Sequence, residues 1–440
     1  MTLSTRVSRP SRRSIVTAAG AALSVLAATV AAVLVAAPAA HAATLTQVTS
    51  FGSNPGNLNM YVYRPTTATG APVVVALHGC TQTASNYYSN SGWTKYADLW
   101  GFTVIFAEQK SANAANACFN WFTAGDVERG NGEALSIKQM VDYAQNNYGA
   151  DRSRTFVTGL SAGGAMAAVM LATYPDVFEA GSIVAGIPYG CAPATSPYIC
   201  MYTTVSKTPA QWGSLVRNAY SGYSGPYPRV AIWHGTSDSV VVPANANASR
   251  DQWTNVWGIS QTPTSTSTLP ASTSVENYDK NGQTVVRVYR VSGMGHGTPV
   301  DPGSATDQCG AAGSYFLDTI CSAYRDALFF GLNGSGSSPS ASTSASPSAS
   351  SSPSASTSPS ASTSPSSSTS PSASASPSTS YGQCFTASNY AHTTAGRAYQ
   401  SGGYTYANGS NQNMGLWNTF TTHTLRRTGA NYYVIADGQC

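Results

Sequence analysis

A serine flanked by glycines lies in the pentapeptide Gly-Leu-Ser-Ala-Gly, residues 159–163. An apolar, β-branched segment precedes it and an alanine-rich segment follows, so Ser161 lies where a predicted strand turns into a predicted helix. In that position a serine hydroxyl projects above a sheet as a nucleophile, and the glycines allow the sharp turn. The alternative is a small-residue turn without chemistry, since a chain with 40 glycines can produce this motif by chance.

A nucleophilic serine needs a base, and residues 43–333 contain three histidines: His78, His234 and His296. His296 lies in a Gly-Met-Gly-His-Gly loop, after the last predicted strand and before the final helix of that segment. Such a loop can hold an imidazole over the serine. His78 and His234 each end an earlier strand and precede a glycine, which favours packing or loop hydrogen bonding. We therefore interpret His296 as the base.

The imidazole needs a carboxylate that fixes its tautomer, and Asp238 follows the predicted strand ending at Trp233. The chain order Ser161, Asp238, His296 is the order of an α/β-hydrolase triad. Asp301 is the nearest rival, although it shares a loop with His296. A further alternative is that Asp238 only forms an Asx turn.

Acyl transfer also needs two donors for the developing oxyanion. The N–H after the nucleophile, that of Ala162, is the first candidate, and the second should come from the loop after an early strand. That loop, residues 77–82, is bent at Gly79, and we expect the Cys80 N–H to be the second donor. The alternative is that His78-Gly79 forms a simple turn.

The pattern of the elements predicts an α/β fold with a mostly parallel central sheet. Near-continuous apolar runs indicate strands covered on both faces, and helical segments alternate with them. The predicted strands are 72–77, 103–106, 155–157, 182–185, 230–233 and 285–289. Helical spacing is clear from Ile137 to Tyr148 and looser from Tyr315 to Leu328, and Leu58–Tyr63 is predicted to join an N-terminal antiparallel hairpin.

The first 42 residues carry four arginines, no acidic residue and a long Ala/Val/Leu run that ends in Ala-His-Ala. This is typical of a signal peptide cleaved after Ala42, with an uncleaved membrane anchor as the alternative and either the general or the twin-arginine export route open. Cleavage removes four of the 22 basic residues and none of the 18 acidic ones, so the mature chain has no net formal charge. We therefore expect an extracellular protein that binds neither nucleic acid nor, after cleavage, a membrane.

Residues 334–380 consist almost wholly of Ser, Pro, Ala and Thr, which cannot form a core and indicate a linker. It separates a catalytic segment, 43–333, from a small C-terminal module, 381–440. The eight cysteines all follow the signal segment, and in an exported chain they favour disulfides over metal binding. Short loops suggest the pairs Cys191–Cys200 and Cys309–Cys321, and closure of the C-terminal module suggests Cys384–Cys440.

The catalytic segment resembles the secreted polyhydroxybutyrate (PHB) depolymerase-type esterases, a group shared with acetylxylan and feruloyl esterases. The resemblance rests on the motifs at 77–82, 118–122, 159–164, 234–238 and 295–297. It implies an α/β-hydrolase fold with the triad Ser161, Asp238 and His296, an oxyanion hole formed by Cys80 and Ala162, and a Cys80–Cys118 disulfide. It also implies that Asn120 and Trp121 bind substrate, although Trp121 is alternatively an ordinary buried aromatic residue.

The C-terminal module is similar to the small modules appended to bacterial polyester depolymerases, which implies a surface-binding domain. The resemblance therefore implies a secreted serine esterase that hydrolyses poly(3-hydroxybutyrate) or a similar short-chain polyester, without a metal or organic cofactor. The alternatives are an acetylxylan or feruloyl esterase acting on plant polysaccharide, a serine peptidase, and a non-catalytic polymer-binding protein. An insoluble substrate would explain the tether, because an adhesive module raises the effective concentration at a surface.

Overall fold

The structure is a computed structural model that describes residues 43–66, 69–114, 116–191, 198–334, 382–401, 404–417 and 421–440. The expected signal peptide and, apart from Gly334, the expected linker lie outside the described residues. Within the described ranges, none of the helices has the length and apolarity needed to span a membrane.

A ten-stranded sheet forms the centre of the catalytic segment, with the strand order β1-β2-β4-β3-β5-β6-β7-β10-β9-β8. The six strands from β4 to β10 in this order run parallel, and the two edges are antiparallel. This arrangement confirms the predicted α/β fold and the N-terminal antiparallel hairpin. The strands are β1 (Thr46–Val48), β2 (Asn59–Tyr63), β3 (Val73–Leu77), β4 (Thr103–Glu108), β5 (Thr155–Leu160), β6 (Ala180–Val184), β7 (Arg229–Gly235), β8 (Ser265–Leu269), β9 (Thr273–Lys280) and β10 (Gln283–Val291).

Helices cover both faces of the sheet, which explains why its central strands are apolar on both sides. In β3, Val73 and Val75 pack into one buried cluster with α3, α4, α6 and α7, whereas Val74 and Ala76 pack into another with α1, α2 and α8. The helices are α1 (Ala84–Asn90), α2 (Trp93–Trp100), α3 (Gly132–Asn147), α4 (Ala162–Thr173), α5 (Tyr198–Tyr202), α6 (Pro209–Ala219), α7 (Ala244–Trp257) and α8 (Ser322–Phe330).

The expected helix over Tyr315–Leu328 is wrong in its first half. Residues 316–318 form a short strand, β12 (Phe316–Asp318), which pairs in parallel with β11 (Thr298–Val300). The final helix, α8, begins only at Ser322, after Cys321, whose sulfur accepts from the Tyr324 N–H. The extended pairing satisfies backbone groups that a longer helix would have bonded internally, and the loose apolar spacing could not distinguish the two.

The described residues of the C-terminal module form two three-stranded sheets and one helix. Its small core includes Ala407, Met414 and Leu425. Its elements are β13 (Cys384–Ser388), α9 (Asn389–Thr394), β14 (Ala398–Ser401), β15 (Tyr404–Ala407), β16 (Asn413–Leu416), β17 (Thr422–Gly429) and β18 (Tyr432–Ile435). Such a thin core gains stability from a disulfide that closes most of the module.

All eight cysteines are bonded in the pairs that the sequence and the family resemblance suggested. The pairs are Cys80–Cys118, Cys191–Cys200, Cys309–Cys321 and Cys384–Cys440.

Candidate active site

Ser161 lies at a sharp turn between β5 and α4. Its backbone has φ 57° and ψ −117°, a conformation that non-glycine residues rarely adopt. The flanking glycines make the turn possible, because a Cβ on Gly163 would collide with the carbonyl of Leu77 and one on Gly159 with Gly163. Backbone strain of this kind costs about 1–3 kcal/mol and is typical of functional sites.

His296 and Asp238 are joined by a hydrogen bond across 58 residues of chain. His296 Nδ1 lies 2.8 Å from Asp238 Oδ2, and Asp238 is 4 % exposed. A carboxylate in this position accepts a hydrogen bond from the Nδ1–H group, which leaves Nε2 free of a proton and able to take one from a nucleophile. Asp301, the rival carboxylate, instead accepts from the Gln308 amide at 3.3 Å and pairs through its backbone with Cys309.

The other oxygen of Asp238 fixes the carboxylate. Oδ1 accepts from the backbone N–H groups of Val240 and Val241, each at 2.9 Å. Asp238 therefore forms the Asx-type turn that the sequence offered as an alternative, and it bonds His296 at the same time. The two interpretations are compatible because each uses a different carboxylate oxygen.

The loops that carry Asp238 and His296 are also tied to each other. The Thr236 N–H donates to the Val291 carbonyl and the Ser237 N–H to the Met294 carbonyl, both at 3.0 Å. Both loops follow parallel neighbours, β7 and β10, and Ser161 follows β5 in the same parallel set. All three side chains therefore belong to the carboxyl edge of one sheet. Within the described residues, no hydrogen bond joins Ser161 Oγ to His296 Nε2, and such bonds often form only in complexes.

His234 is buried and bonds the Asp238 loop, in agreement with the packing or loop hydrogen bonding expected for this position. Its Nε2 donates to the Val241 carbonyl at 2.7 Å and lies 3.5 Å from Asp238 Oδ2. Desolvation lowers the pKa of this fully buried imidazole, which favours the neutral form. The near-continuous apolar run of β7 places position 234 at the strand end, but only the fold shows which groups of the loop it contacts.

The two expected oxyanion donors lie at the start of α4 and in the loop after β3. Ala162 is the first residue of α4, so its N–H has no acceptor within the helix. Cys80 lies in the loop after β3, which is held by the Cys80–Cys118 disulfide and by the bond from the Thr81 N–H to the Asn116 carbonyl at 2.7 Å. In the part of the chain that the structure describes, neither the Cys80 nor the Ala162 N–H donates to another protein group.

A buried carboxyl that sequence reasoning missed lies behind the segment 118–121. Glu133, in the first turn of α3, accepts from the Asn120 N–H at 2.8 Å and from the Gln109 side-chain amide. Burial raises the pKa of Glu133 to about 8. Trp121 is 9 % exposed and packs in the same buried cluster as Ala162. A lone glutamate at a helix start carries no sequence signal for this contact, because its partners lie at least 13 residues away.

Comparisons with known proteins identify, along most of the catalytic segment, the same family that the sequence motifs resemble. The model of the family "Esterase PHB depolymerase" matches residues 58–269. The chain is 52 % identical over 293 residues to poly(3-hydroxyalkanoate) depolymerase C of Paucimonas lemoignei, covering 66 % of this chain and 70 % of that protein.

Relatives that act on other esters are also found. The chain is 41 % identical over 267 residues to an acetylxylan esterase of Coprinopsis cinerea, covering 59 % of this chain and 70 % of that protein. The solved structure of an acetyl xylan esterase from Aspergillus awamori matches with a TM-score of 0.56 and 30 % identity, covering 66 % of this chain and 99 % of the other.

Proposed function

Because the chain belongs to the PHB depolymerase family of α/β-hydrolase esterases and is a carboxylic ester hydrolase, we propose that it is a secreted serine esterase that cleaves poly(3-hydroxybutyrate) or a similar short-chain polyester. The observation that carries the mechanism is the His296–Asp238 hydrogen bond at the carboxyl edge of the sheet that also carries the strained Ser161 turn. The substrate class is supported by the 52 % identity to a protein named as a poly(3-hydroxyalkanoate) depolymerase.

The reaction has two halves. In the first, Ser161 Oγ attacks the ester carbonyl while His296 Nε2 takes its proton, and Asp238 stabilises the imidazolium that forms. The N–H groups of Cys80 and Ala162 donate to the carbonyl oxygen as it becomes an oxyanion. The carbon–oxygen bond then breaks, and His296 gives its proton to the departing alkoxide, leaving an acyl group on Ser161.

In the second half, water attacks the acyl carbonyl and His296 takes a proton from it. A second oxyanion forms in the same hole, the bond to Ser161 Oγ breaks, and His296 returns the proton to Oγ. The products are an alcohol-ended chain and a carboxylic acid. We assign Asn120 and Trp121 to binding of the acyl part, since Asn120 is held by Glu133 and Trp121 packs in the cluster that contains Ala162.

We assign polymer attachment to the C-terminal module, on a surface of three tyrosines. Tyr399 in β14 lies directly opposite Tyr406 in β15, and their rings stack at 5.5 Å. Tyr404 points to the same side as Tyr406, because they are two residues apart, while Thr405 and Ala407 face the module's core. Tyr399 and Tyr404 are 41 % and 45 % exposed, so flat apolar rings are available to a solid polymer.

Hydrolysis of an insoluble polymer tests the substrate proposal. Full-length enzyme is incubated with suspended poly(3-hydroxybutyrate), and turbidity and released soluble acid are followed together. We expect the suspension to clear and hydroxy acid to accumulate. Activity on a soluble butyrate ester without clearing of the polymer would contradict the substrate proposal while leaving the esterase chemistry intact.

Attachment is tested in the full chain with Tyr399→Ser and Tyr404→Ser. We expect each to lower the bound fraction on polymer granules and to slow clearing, with unchanged turnover of the soluble ester. A matched control is Leu99→Ser in α2, which removes an exposed apolar side chain, 55 % exposed, from the catalytic segment. If this control weakens adsorption as much as the tyrosine variants, the tyrosine surface is not the attachment site.

A second candidate is favoured by the acetylxylan esterase relative at 41 % identity. It predicts release of acetate from acetylated xylan, or of ferulate from feruloylated xylan, by an enzyme that leaves polyester granules intact. Both polysaccharides are therefore assayed beside the polymer at equal enzyme concentration.

Secretion is proposed from the residues before Ala43. Expression of the full sequence in a bacterial host, followed by N-terminal sequencing of protein in the medium, should give a mature chain that begins at Ala43. Retention of the intact chain in the membrane fraction would support an uncleaved anchor instead.

A further inference from the structure

The peptide group between Gly79 and Cys80 is held from its carbonyl side. His78 Nδ1 lies 2.7 Å from the Gly79 carbonyl oxygen, and the Gln82 N–H donates to the same oxygen at 3.2 Å. The Gly79 carbonyl and the Cys80 N–H belong to one planar peptide unit. Contacts that fix the carbonyl therefore also fix the direction of the Cys80 N–H, which points away from it.

The neighbours of His78 determine its tautomer. The backbone N–H of Gln109 donates to His78 Nε2 at 3.0 Å, so Nε2 carries no proton. The ring proton of a neutral imidazole must then be on Nδ1, where it donates to the Gly79 carbonyl. The ring is fully buried and packs against Phe119, and desolvation lowers the pKa of His78, which keeps the imidazole neutral.

Gln109 is itself fixed, and its contacts lead back to the same loop. Its side-chain amide donates to Glu133 and to the Cys118 carbonyl, the latter at 3.2 Å. Cys118 is bonded to Cys80. The Gly79–Cys80 peptide is thus held on one side by His78 and on the other by a disulfide, and both supports are anchored on Gln109.

We propose that His78 is a positioning residue for ester hydrolysis, which holds the Gly79–Cys80 peptide so that the Cys80 N–H faces the developing oxyanion. A hydrogen bond to the carbonyl of a peptide also polarises its N–H and strengthens it as a donor. His78 acts through this peptide and touches no reacting atom. The proposal rests on the oxyanion role of Cys80 in the proposed function.

Two variants of the full-length enzyme separate the two contacts of the ring. In His78→Asn the side-chain amide can occupy the place of Nδ1 and still donate to the Gly79 carbonyl. In His78→Gln the amide reaches the place of Nε2, so it can bond the Gln109 N–H but not the Gly79 carbonyl. We expect His78→Asn to keep kcat within about fivefold and His78→Gln to lower kcat about 10- to 100-fold, somewhat less than loss of an oxyanion donor.

Kinetic constants on a soluble butyrate ester distinguish positioning from folding. A misdirected oxyanion donor lowers kcat with little change in KM, because it acts in the transition state. Affinity for an alkylboronic acid, whose tetrahedral adduct on the serine mimics that state, should fall by a similar factor in His78→Gln. The control is Thr103→Val, which replaces a fully buried hydroxyl at the start of β4, the end of the strand away from Gln109. It should keep kcat within about twofold.

Equal losses in the two His78 variants, or wild-type kcat in His78→Gln, would overturn the proposal. If neither variant folds, Glu133→Leu tests the same support, because leucine offers no acceptor to the Gln109 side-chain amide and leaves His78 unaltered. We expect that variant to lower kcat and boronate affinity about threefold to tenfold, and unchanged values would equally overturn the proposal. Failure of the proposed function is a separate outcome, since it would appear as ester hydrolysis that survives Ser161→Ala.

Discussion

Replacement of Asp238 by asparagine should trap His296 in the wrong tautomer. In the wild type, Oδ1 accepts from the N–H groups of Val240 and Val241, and Oδ2 bonds His296 Nδ1 at 2.8 Å. Two donors at the Oδ1 position require an oxygen there, so the amide nitrogen of Asp238→Asn must take the Oδ2 position. An NH₂ group that faces Nδ1 requires Nδ1 to be the acceptor, which places the ring proton on Nε2.

An imidazole with its proton on Nε2 cannot take the proton of Ser161. The corresponding substitution in a serine protease triad lowers kcat about 10⁴-fold, equivalent to about 5.4 kcal/mol of transition-state stabilisation. We expect a loss of kcat of about 10³- to 10⁴-fold here. Stability should change little, because both turn bonds to Oδ1 are retained.

The assay is kcat on a soluble butyrate ester at neutral pH, with the melting temperature measured on the same preparations. Asp301→Asn is the matched control, since Asp301 lies in the chain near His296 but bonds Gln308 and Cys309. We expect it to stay within about twofold of the wild type. A kcat for Asp238→Asn above a tenth of the wild-type value would refute the assigned triad, as would a comparable loss in Asp301→Asn.

Three further predictions concern the nucleophile, the core and a disulfide. Ser161→Ala should abolish ester hydrolysis and leave adsorption to polymer granules intact. Both properties are measured on one preparation of the variant. Ester hydrolysis by the variant at the wild-type rate would contradict the mechanism. Burial raises the pKa of Asp326, which accepts from Trp233 Nε1, from 3.8 to about 7, so the folded protein holds a proton that the unfolded chain releases. Stability should therefore fall as pH rises from about 4 to about 7, and Asp326→Asn should flatten that fall in melting temperature; an equal slope in both proteins would argue against it. Replacing both Cys80 and Cys118 by serine should lower the free energy of unfolding, measured in urea, by about 4 kcal/mol, because the disulfide closes a loop over a separation of 38 residues. The same replacement should lower kcat. An unchanged kcat would show that the loop after β3 keeps its shape without the disulfide.

Strand and helix alternation was predictable from local pattern. The apolar runs around Val73–Leu77 and Thr155–Leu160 became neighbouring parallel strands, because residues apolar on both faces are stable only between two layers of helix. The stretch from Tyr315 to Cys321 was not predictable in this way. Its apolar spacing suits a helix, but pairing of β12 with β11 and the Cys309–Cys321 bond hold it extended.

The sequence by itself determined the chemical groups and where each follows a strand, since glycines at 159 and 163 and an apolar run already require the turn at Ser161. Which groups meet was decided by tertiary structure. Asp238, 58 residues before His296, bonds it, while the nearby Asp301 does not, because β7 and β10 are neighbours in the sheet and their loops are tied together. The surroundings of His78 were likewise decided by folding. A local pattern shows that it ends a strand, but its partner Gln109 directly follows β4, the neighbouring strand of the sheet, and reaches it only when the sheet has formed.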